Sequence, residues 1–388
     1  MTSATPSDWS ACLADLEARG LSRRLRTIES AQGARVKVGG RELICFCSNN
    51  YLGLASHPRI RQAVIDATRQ WGWGAGGSRL MAGTMGPHRQ LESRLAGFKR
   101  TEAALVCTTG YQANLAAIRA LAGKGDVVLV DKLDHASIID AARGSGAVVR
   151  VFAHRDYAKL ERLLDRTASA RRRVIVTDSL FSMDGDLADL PRLVELKKGY
   201  GALLCIDEAH ATGVFGLGGR GVAELQGVEH EIDATVGTLS KALGGIGGFV
   251  AGSAALIDWI INTAGAFIYT TALPPPACAA AAAALDIVEQ EPQRRAHVLA
   301  LAERLRSELA EKGWDLAGSQ SQIVPIVVGS ADRALALAAG LESDGLLAPA
   351  IRPPTVPAGR CRIRISLSAD HTIEDIDRLL GSLQRLGP

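Results

Sequence analysis

One lysine in this chain stands in a setting that favours covalent chemistry. Lys241 has apolar, glycine-rich neighbours, and upstream of it an apolar run that ends at Ile206 is followed by Asp207 and, three residues later, His210. A desolvated lysine amine condenses with aldehydes, an aspartate keeps a pyridine nitrogen protonated, and a histidine bonds a ring oxygen. Together these residues predict a site for pyridoxal 5'-phosphate (PLP), a cofactor that stabilises carbanions.

Other polar residues follow predicted strands, where open α/β sheets bind ligands. Residues 108–114 join a strand to a helix, whose first amides could bind a phosphate. His135 follows the strand 127–130 and could stack on a ring, although a helix-capping segment is the more ordinary interpretation of this segment taken alone. Asp178 and Ser182 follow the strand 173–177 and are placed to face a cofactor, with a polar turn as the alternative. Asp207 could likewise be a helix cap, and Lys241 a surface residue.

A glycine-rich segment at 72–77 has the spacing of a dinucleotide-binding loop. Such a loop requires a strand before it, whereas residues 60–71 have helical spacing. A nicotinamide or flavin site is therefore not expected, and these glycines let a loop pass close to a ligand or a partner chain.

Arg352 is followed by two prolines, which fix the backbone that presents it. A guanidinium fork suits a substrate carboxylate, and a structural ion pair is the alternative.

Short apolar runs alternate with amphipathic segments through the first half of the chain. The predicted strands are 104–107, 127–130, 148–152, 174–176 and 202–206, and the predicted helices are 111–121, 137–143, 157–166 and 192–198. Fully apolar strands separated by helices predict a mostly parallel sheet that is covered on both faces, so the fold class is α/β.

The regular alternation of apolar strands and amphipathic helices does not continue after residue 285. Strands at 323–328 and 361–367, with helices at 331–341 and 373–386, predict a smaller α+β domain. We therefore expect an N-terminal helix and hairpin at 1–48, a large domain at 49–285 and a small C-terminal domain at 286–388. The uncharged stretch 259–285 contains three consecutive prolines, so we predict a loop followed by an alanine-rich helix rather than a membrane span.

Composition excludes several function classes. The chain has 388 residues, 22% of them charged, and a formal net charge of +3, which gives no support to a nucleic-acid partner. Its seven cysteines include no C-x-x-C pair, so neither a disulfide framework nor a metal site is predicted, and a reducing cytoplasm suits them. Residues 1–10 lack the basic and apolar regions of a secretory signal.

The order of these motifs resembles that of the α-oxoamine synthases, fold-type I enzymes that use PLP. The matching segments are 48–54, 76–80, 134–137, 181–185, 207–210, 238–241 and 352–359. The resemblance extends from about residue 20 to the C-terminus. It implies a large domain like that of aspartate aminotransferase, with a seven-stranded sheet flanked by helices.

The resemblance also implies a role for each matching residue. Those implied to act on the cofactor ring are Lys241, Asp207, His210, His135 and Ser182. Those implied to hold the phosphate are Gly110, Tyr111, Thr238 and Ser240, joined across a homodimer interface by Thr270 and Thr271. Those implied to bind substrates are Asn49, Arg352, Thr355 and one arginine among Arg23, Arg24 and Arg26, which the sequence does not distinguish.

The activity that the resemblance implies is a decarboxylative condensation. L-Alanine would react with a pimeloyl thioester, carried on CoA or on acyl carrier protein, in biotin biosynthesis. Three alternatives stay open at this point: glycine with acetyl-CoA as the substrate pair, an aminotransferase, and a non-catalytic subunit of a synthase.

Overall fold

The computed structural model describes residues 8–387, so residues 1–7 of the N-terminal segment discussed above lie outside it. The helices are α1 (Trp9–Ala18), α2 (Pro58–Trp71), α3 (Gly86–Lys99), α4 (Gly110–Leu121), α5 (Ala136–Gly144), α6 (Tyr157–Arg166), α7 (Leu190–Tyr200), α8 (Val222–Leu225), α9 (Ala254–Thr263), α10 (Gly265–Ile268), α11 (Pro275–Gln290), α12 (Pro292–Glu311), α13 (Ala331–Ser343) and α14 (Ile373–Leu386). The strands are β1 (Arg35–Val38), β2 (Arg41–Cys45), β3 (Ala103–Cys107), β4 (Val127–Asp131), β5 (Val148–Phe152), β6 (Arg173–Asp178), β7 (Leu203–Asp207), β8 (Ala234–Thr238), β9 (Gly248–Gly252), β10 (Ile323–Gly329), β11 (Leu346–Leu347), β12 (Ala350–Ile351) and β13 (Cys361–Ser366).

Two compact units make up the described chain. The larger contains Asn49–Ser182 and Asp186–Ala300. The smaller contains Met183–Gly185 together with the described residues up to Ser48 and from Leu301 onward. The division of the sequence into three parts at residues 48 and 285 stays a prediction.

A seven-stranded sheet forms the centre of the larger unit, in the order β3-β9-β8-β7-β6-β4-β5. β9 runs antiparallel to both its neighbours, and the remaining pairs are parallel. β4 and β8 are buried along their whole length. Strands covered on both faces are typically near-continuous apolar runs, as β4 is up to its final aspartate. The predicted α/β fold with a mostly parallel sheet is confirmed.

Alternate residues of the strands join one hydrophobic core. Val128 and Val130 of β4 and Val174 and Val176 of β6 pack in the same cluster as residues of α4, α5, α9 and α10. Side chains of a strand point to opposite faces in turn, so these valines mark one face of the sheet. The core fixes α4 and α5 against the strands, and both helices begin at the edge where the candidate site lies.

Two strands of this sheet, β8 and β9, consist largely of small residues and were not predicted. Gly237 of β8 faces the ring of Phe249 in β9, and a Cβ at position 237 would lie 2.3 Å from that ring. The glycine is therefore a packing requirement of the sheet, whereas in a sequence it is typical of turns and bulges.

The prediction for the uncharged stretch 259–285 was partly wrong. Its first residues complete α9, which ends at Thr263, and a further turn of helix, α10, precedes the proline segment. The alanine-rich helix is present as α11, with a proline in its first turn, where no amide donor is needed. None of the described helices has the length and apolar character needed to cross a membrane.

The smaller unit contains two three-stranded sheets, β1-β2-β11 and β10-β13-β12. β1 and β2 form the predicted hairpin, whose turn residues Gly39 and Gly40 both have positive φ. β11 then adds to β2 in parallel, pairing Leu346 with Ile44. β10, β13, α13 and α14 of this unit correspond to the strands and helices predicted after residue 285, whereas the short β11 and β12 were not predicted.

An ion pair connects His154 to two carboxylates of the larger unit. Nδ1 lies 3.0 Å from Asp131 Oδ1, and Nε2 lies 2.9 Å from Asp186 Oδ2. Burial by itself lowers the pKa of His154, but the hydrogen bonds to the two carboxylates outweigh burial and raise the pKa to about 10. The imidazole is therefore a cation at neutral pH.

We expect His154 to make stability depend on pH. Because its pKa is raised in the fold from the ordinary value of 6.5, its stabilisation is complete below that value and is lost as the pH rises to about 10. Urea unfolding of the wild type and of His154→Gln measures this. The difference between them should shrink as the pH rises through that window, and a constant difference would contradict the assignment.

Candidate active site

The carboxyl ends of β6, β7 and β8 lie side by side in the sheet. Asp178 pairs with Asp207, and Asp207 with Val236. β8 ends at Thr238, and Lys241 follows in the loop that leads to β9. The structure thus brings Asp207 and Lys241 to the edge at which open parallel sheets bind ligands.

A chain of hydrogen bonds starts at the Lys241 amine. Nζ lies 2.8 Å from His210 Nε2, and His210 Nδ1 lies 2.6 Å from the Tyr51 hydroxyl. That hydroxyl donates to Asn49 Oδ1 at 3.0 Å. Tyr51 and His210 are buried and Lys241 is half-buried, so the amine is held against a buried imidazole. Tyr51 lies in the segment 48–54 that resembles the α-oxoamine synthases, but the sequence predicted no role for it.

The Asp207 carboxylate is fixed by donors on both oxygens. Oδ1 accepts from the backbone amide of Ala209, and Oδ2 accepts from Asn114 Nδ2, each at 2.7 Å. The other hydrogen of the same amide points to Ser137 Oγ at 2.9 Å. Two donors stabilise the charged form of a buried carboxylate. The sequence predicted no role for Asn114. Only the structure shows that this residue of α4 is buried beside Asp207.

His135 precedes α5 and caps it. Nδ1 accepts from the backbone amide of Ser137 at 3.2 Å and lies 2.7 Å from the Ser137 hydroxyl. The His135 amide donates to Asp178 Oδ2 at 2.7 Å, which ties the histidine to the end of β6. Burial lowers the pKa of His135, so its ring is neutral at physiological pH.

Two further carboxylates, those of Asp134 and Asp178, lie at the carboxyl end of β6. Asp134 Oδ1 accepts from the Asp178 amide and from the Thr177 hydroxyl, both at 2.9 Å. Burial, together with the charge of the nearby carboxylate, raises the pKa of both Asp134 and Asp178 well above the ordinary value. The negative charge of Asp207 is, after burial, the largest cause of the raised pKa of Asp178.

Backbone amides and side-chain hydroxyls come together where α4 begins. Gly110 and Tyr111 occupy its first turn, and their amides have no partner within the helix. The hydroxyls of Thr238 and Ser240 lie nearby, each donating to the Gly247 carbonyl at 2.9 and 3.2 Å. A Cβ on Gly110 would come within 3.3 Å of Thr238. This arrangement of amides and hydroxyls is typical of a phosphate site.

The remaining predicted residues of the larger unit lie around these elements. Thr270 accepts from Gln112 Nε2 at 3.4 Å, which places it beside the first turn of α4. Thr271 forms a β-bridge with Ser78. Ser182 follows β6 and is half-buried.

Arg352 and Thr355 belong to the smaller unit. The Arg352 guanidinium donates to the carbonyls of Gly20 and Ser22. Arg23 donates to the Thr355 hydroxyl at 3.5 Å. Arg23, Arg24 and Arg352 line a cavity of about 260 Å³ in that unit.

The residues of the larger unit fit PLP. Asp207 offers a fixed carboxylate to a pyridine nitrogen, the Lys241 amine suits an aldehyde, and the start of α4 suits a phosphate. The side-chain oxygens of Gln112 and Asn114 are buried without a hydrogen-bond partner among the described residues, which is expected of a site lined for a polar ligand.

Comparisons with known proteins agree with this chemistry. Residues 41–383 match the family aminotransferase class I and II. The 8-amino-7-oxononanoate synthase of Geobacter sulfurreducens is 50% identical over 377 residues, covering 97% of this chain and 96% of that protein. The protein of the same name from Anaeromyxobacter dehalogenans is 49% identical, covering 98% of this chain and 96% of its own.

Solved structures give the same picture. The serine palmitoyltransferase of Sphingomonas wittichii has a TM-score of 0.93 at 34% identity, covering 99% of this chain and 98% of that one. The 8-amino-7-oxononanoate synthase of Francisella tularensis has a TM-score of 0.77 at 28% identity, covering 88% and 97%. A serine palmitoyltransferase solved with PLP has a TM-score of 0.92 at 32% identity, covering 97% and 96%. The chain therefore belongs to the aminotransferase class I and II family and, within it, to the PLP-dependent α-oxoamine synthases.

Proposed function

We propose that this enzyme condenses L-alanine with a pimeloyl thioester, with loss of CO2, to give 8-amino-7-oxononanoate for biotin biosynthesis. The observation that carries the proposal is the shared name of full-length relatives: 8-amino-7-oxononanoate synthases are 44–50% identical over 96–98% of this chain. A lysine amine held by an imidazole at the carboxyl edge of the sheet supports this reaction class.

Lys241 has the central role in this proposal. PLP, when bound, withdraws electrons from the amino-acid Cα and so stabilises negative charge there. Lys241 would hold the cofactor aldehyde until the amine of alanine displaces it, and the freed Nζ would then take the Cα proton of alanine. His210, 2.8 Å away, orients the amine and bonds the ring oxygen, together with Ser182. Asp207 pairs with the protonated ring nitrogen.

The other cofactor residues hold PLP in place. The neutral ring of His135 stacks on the pyridine ring. The amides of Gly110 and Tyr111, with the hydroxyls of Thr238 and Ser240, bind the phosphate, and the positive end of the α4 dipole favours this anion.

Substrate carboxylates require cations, and Arg352 supplies one for alanine. Its planar guanidinium can bond both oxygens of a carboxylate. Asn49 of the larger unit and Thr355 of the smaller unit are the other substrate residues in this proposal. The amide of Asn49 lies at the end of the hydrogen-bond chain that starts at Lys241.

Of the three N-terminal arginines, we assign Arg23 to the terminal carboxylate of the pimeloyl chain. Arg26 forms a bidentate ion pair with Glu342, at 2.7 and 2.6 Å. Arg24 pairs with Glu17 at 3.2 Å. Both cations are thus already neutralised by a carboxylate.

Arg23 differs because its hydrogen bonds among the described residues go to neutral acceptors. These are the Pro353 carbonyl at 3.3 Å and the Thr355 hydroxyl at 3.5 Å. Its charge is available to an anion in the cavity of about 260 Å³ that it shares with Arg352. A carboxylate there would gain charge-assisted hydrogen bonds.

Arg23→Ala should raise the KM for the pimeloyl thioester about tenfold or more, because a hydrogen bond between charged groups contributes about 1.5–3 kcal/mol. The kcat should change little. Steady-state assays with pimeloyl-CoA and with heptanoyl-CoA, which lacks the terminal carboxylate, measure the effect. Arg26→Ala is the matched control. Equal losses with both thioesters, or a larger KM effect in Arg26→Ala, would reject the assignment.

We further propose that the active enzyme is a homodimer in which Thr270 and Thr271 contact the phosphate in the partner subunit. The surface beside them is apolar and exposed, with Tyr269 87% and Met81 83% accessible. The β-bridge between Ser78 and Thr271 pairs the two chain segments in which Met81 and Tyr269 lie. Exposed apolar patches mark interfaces, and the mass in solution by light scattering tests this.

We place the reaction in the cytoplasm. The seven cysteines are free thiols, five of them buried, and thiols persist in a reducing compartment. Fractionation of the source cells with an antibody against this protein measures its location.

A substrate screen tests the proposed reaction. The purified holoenzyme is mixed with alanine, glycine or serine and with pimeloyl, acetyl or palmitoyl thioesters on CoA, and with pimeloyl-acyl carrier protein. We expect product only with alanine and a pimeloyl donor, detected by mass. Turnover of serine with palmitoyl-CoA, or of glycine with acetyl-CoA, would replace the proposal. Conversion of the cofactor to its amine form by an amino acid alone would indicate an aminotransferase.

A further inference from the structure

The protons around His135 can be assigned from its neighbours. The backbone amide of Ser137 can only donate, and it donates to His135 Nδ1 at 3.2 Å. Nδ1 is therefore an acceptor, and the Ser137 hydroxyl, 2.7 Å from the same nitrogen, donates to it as well. A neutral imidazole that accepts at Nδ1 carries its proton on Nε2.

The Ser137 hydroxyl is oriented in turn by Asn114. The amide Nδ2 of Asn114 donates one hydrogen to Ser137 Oγ at 2.9 Å and the other to Asp207 Oδ2 at 2.7 Å. The amide cannot be turned around, because its oxygen would then face the Asp207 carboxylate. One side chain thus connects the predicted stacking histidine to the predicted partner of the ring nitrogen.

Burying the Asn114 amide costs stability, which indicates that the amide has a functional role. Asn114 is 2% exposed, and its Oδ1 has no hydrogen-bond partner among the described residues. A buried polar atom without a partner destabilises a fold. The fold therefore accommodates this amide for what Nδ2 does rather than for stability.

We propose that Asn114 and Ser137 are positioning residues that hold His135 in its neutral tautomer, with the proton on Nε2, while the same amide holds the Asp207 carboxylate. The inference rests on the proposed function in one respect, namely that His135 and Asp207 face the PLP ring. A neutral imidazole avoids the repulsion that a cation would have with a protonated pyridine ring. It also leaves the Asp207 charge to the ring nitrogen.

The charges around His135 agree with this assignment. Burial has the largest effect on the pKa of His135 and lowers it. Asp207 and Asp140 raise that pKa, and Lys241 lowers it. The Ser137 hydroxyl, like burial, lowers the pKa of His135, because protonation of Nδ1 breaks the hydrogen bond that the hydroxyl donates to it.

Nitrogen-15 NMR of histidine-labelled protein tests the tautomer directly, with PLP bound and after its removal. His135→Gln identifies the His135 signals. The wild type should show a protonated Nε2 and an unprotonated Nδ1. Ser137→Ala removes the hydroxyl at 2.7 Å and leaves the backbone amide at 3.2 Å as the weaker donor to Nδ1, so we expect a partial loss of the Nε2-protonated tautomer and a higher pKa of His135. Ser145→Ala, at the other end of α5, is the matched control, since its hydroxyl donates to the Ala142 carbonyl and should have no effect.

The cofactor provides a second readout. Asn114→Leu removes both donors from a side chain of similar size, and we expect the Kd of PLP to rise about tenfold, as for loss of a hydrogen bond to a charged group. The midpoint of the pH titration of cofactor absorbance should also shift. Asn114→Asp provides the same test if the leucine variant does not fold.

Wild-type tautomer signals in Ser137→Ala, together with an unchanged titration midpoint in the Asn114 variant, would overturn the proposal. None of these measurements uses alanine or a thioester. A different substrate pair would therefore refute the proposed function and leave these results as they are. An unchanged tautomer with the expected substrates would refute the positioning role alone.

Discussion

Lys241→Ala should lower kcat by at least about a thousandfold, because proton transfer by a positioned group contributes about 10²–10⁴ in rate. The variant also loses the amine that binds the cofactor aldehyde. In the structure that amine lies 2.8 Å from His210 Nε2. The methyl side chain of an alanine at position 241 reaches neither the imidazole nor the cofactor. The effect should therefore fall on kcat rather than on KM alone.

Product formation and peptide mapping check this result. Borohydride reduction of the wild type should fix the cofactor mass to the peptide that contains Lys241, and Lys241→Ala should carry none. Lys124→Ala is the control, because this lysine is exposed in a turn between two glycines. Product formation by Lys241→Ala at the wild-type rate would refute the role of the lysine, and so would cofactor retained on another residue.

Lys99→Met should destabilise the larger unit by about 3–5 kcal/mol, the range found when one partner of a buried ion pair is removed. Lys99 Nζ donates to Glu208 Oε2 at 2.8 Å and to Thr212 Oγ1 at 2.9 Å. Both charged side chains are almost completely buried, with 4% and 1% exposed. Methionine fills the space but leaves the carboxylate without a cation.

Thermal unfolding followed by circular dichroism measures this loss, which should lower the Tm by about 10 °C. Adding Glu208→Gln to Lys99→Met should restore part of it, because the uncompensated charge is then removed. The matched control is Lys198→Met. Lys198 pairs with Glu231 at 2.7 Å, but 58% of its side chain is exposed, so its loss should cost less than about 1 kcal/mol. Similar effects of the two lysine variants would contradict the argument.

The sequence predicted those buried strands that consist mainly of large apolar residues. β4 and β7 are apolar up to the aspartate that ends each strand, and their length left little choice of structure. β8 and β9 consist of glycine, alanine, threonine, valine and a single aromatic residue. Only the packing of Phe249 over Gly237 explains why such sequences form strands, and that contact exists only in the sheet.

The candidate site shows the same limit. Lys241, Asp207 and His210 were predictable because their residue types and order indicate one cofactor. Asn114 was not, because it meets Asp207 across 93 residues of sequence, and no spacing rule connects the two positions. Short-range patterns identify groups that react, whereas the groups that orient them become apparent only when the strands and helices are assembled.

The parallel pairing of β2 with β11 has a consequence for how the chain is made. Ile44 finds its partner Leu346 only after most of the protein has left the ribosome. Until then the outer edge of β2 has unsatisfied amides and carbonyls and can recruit other strands. Nascent or truncated chains that stop short of Leu346 should therefore depend on chaperones and aggregate more readily than the finished polypeptide.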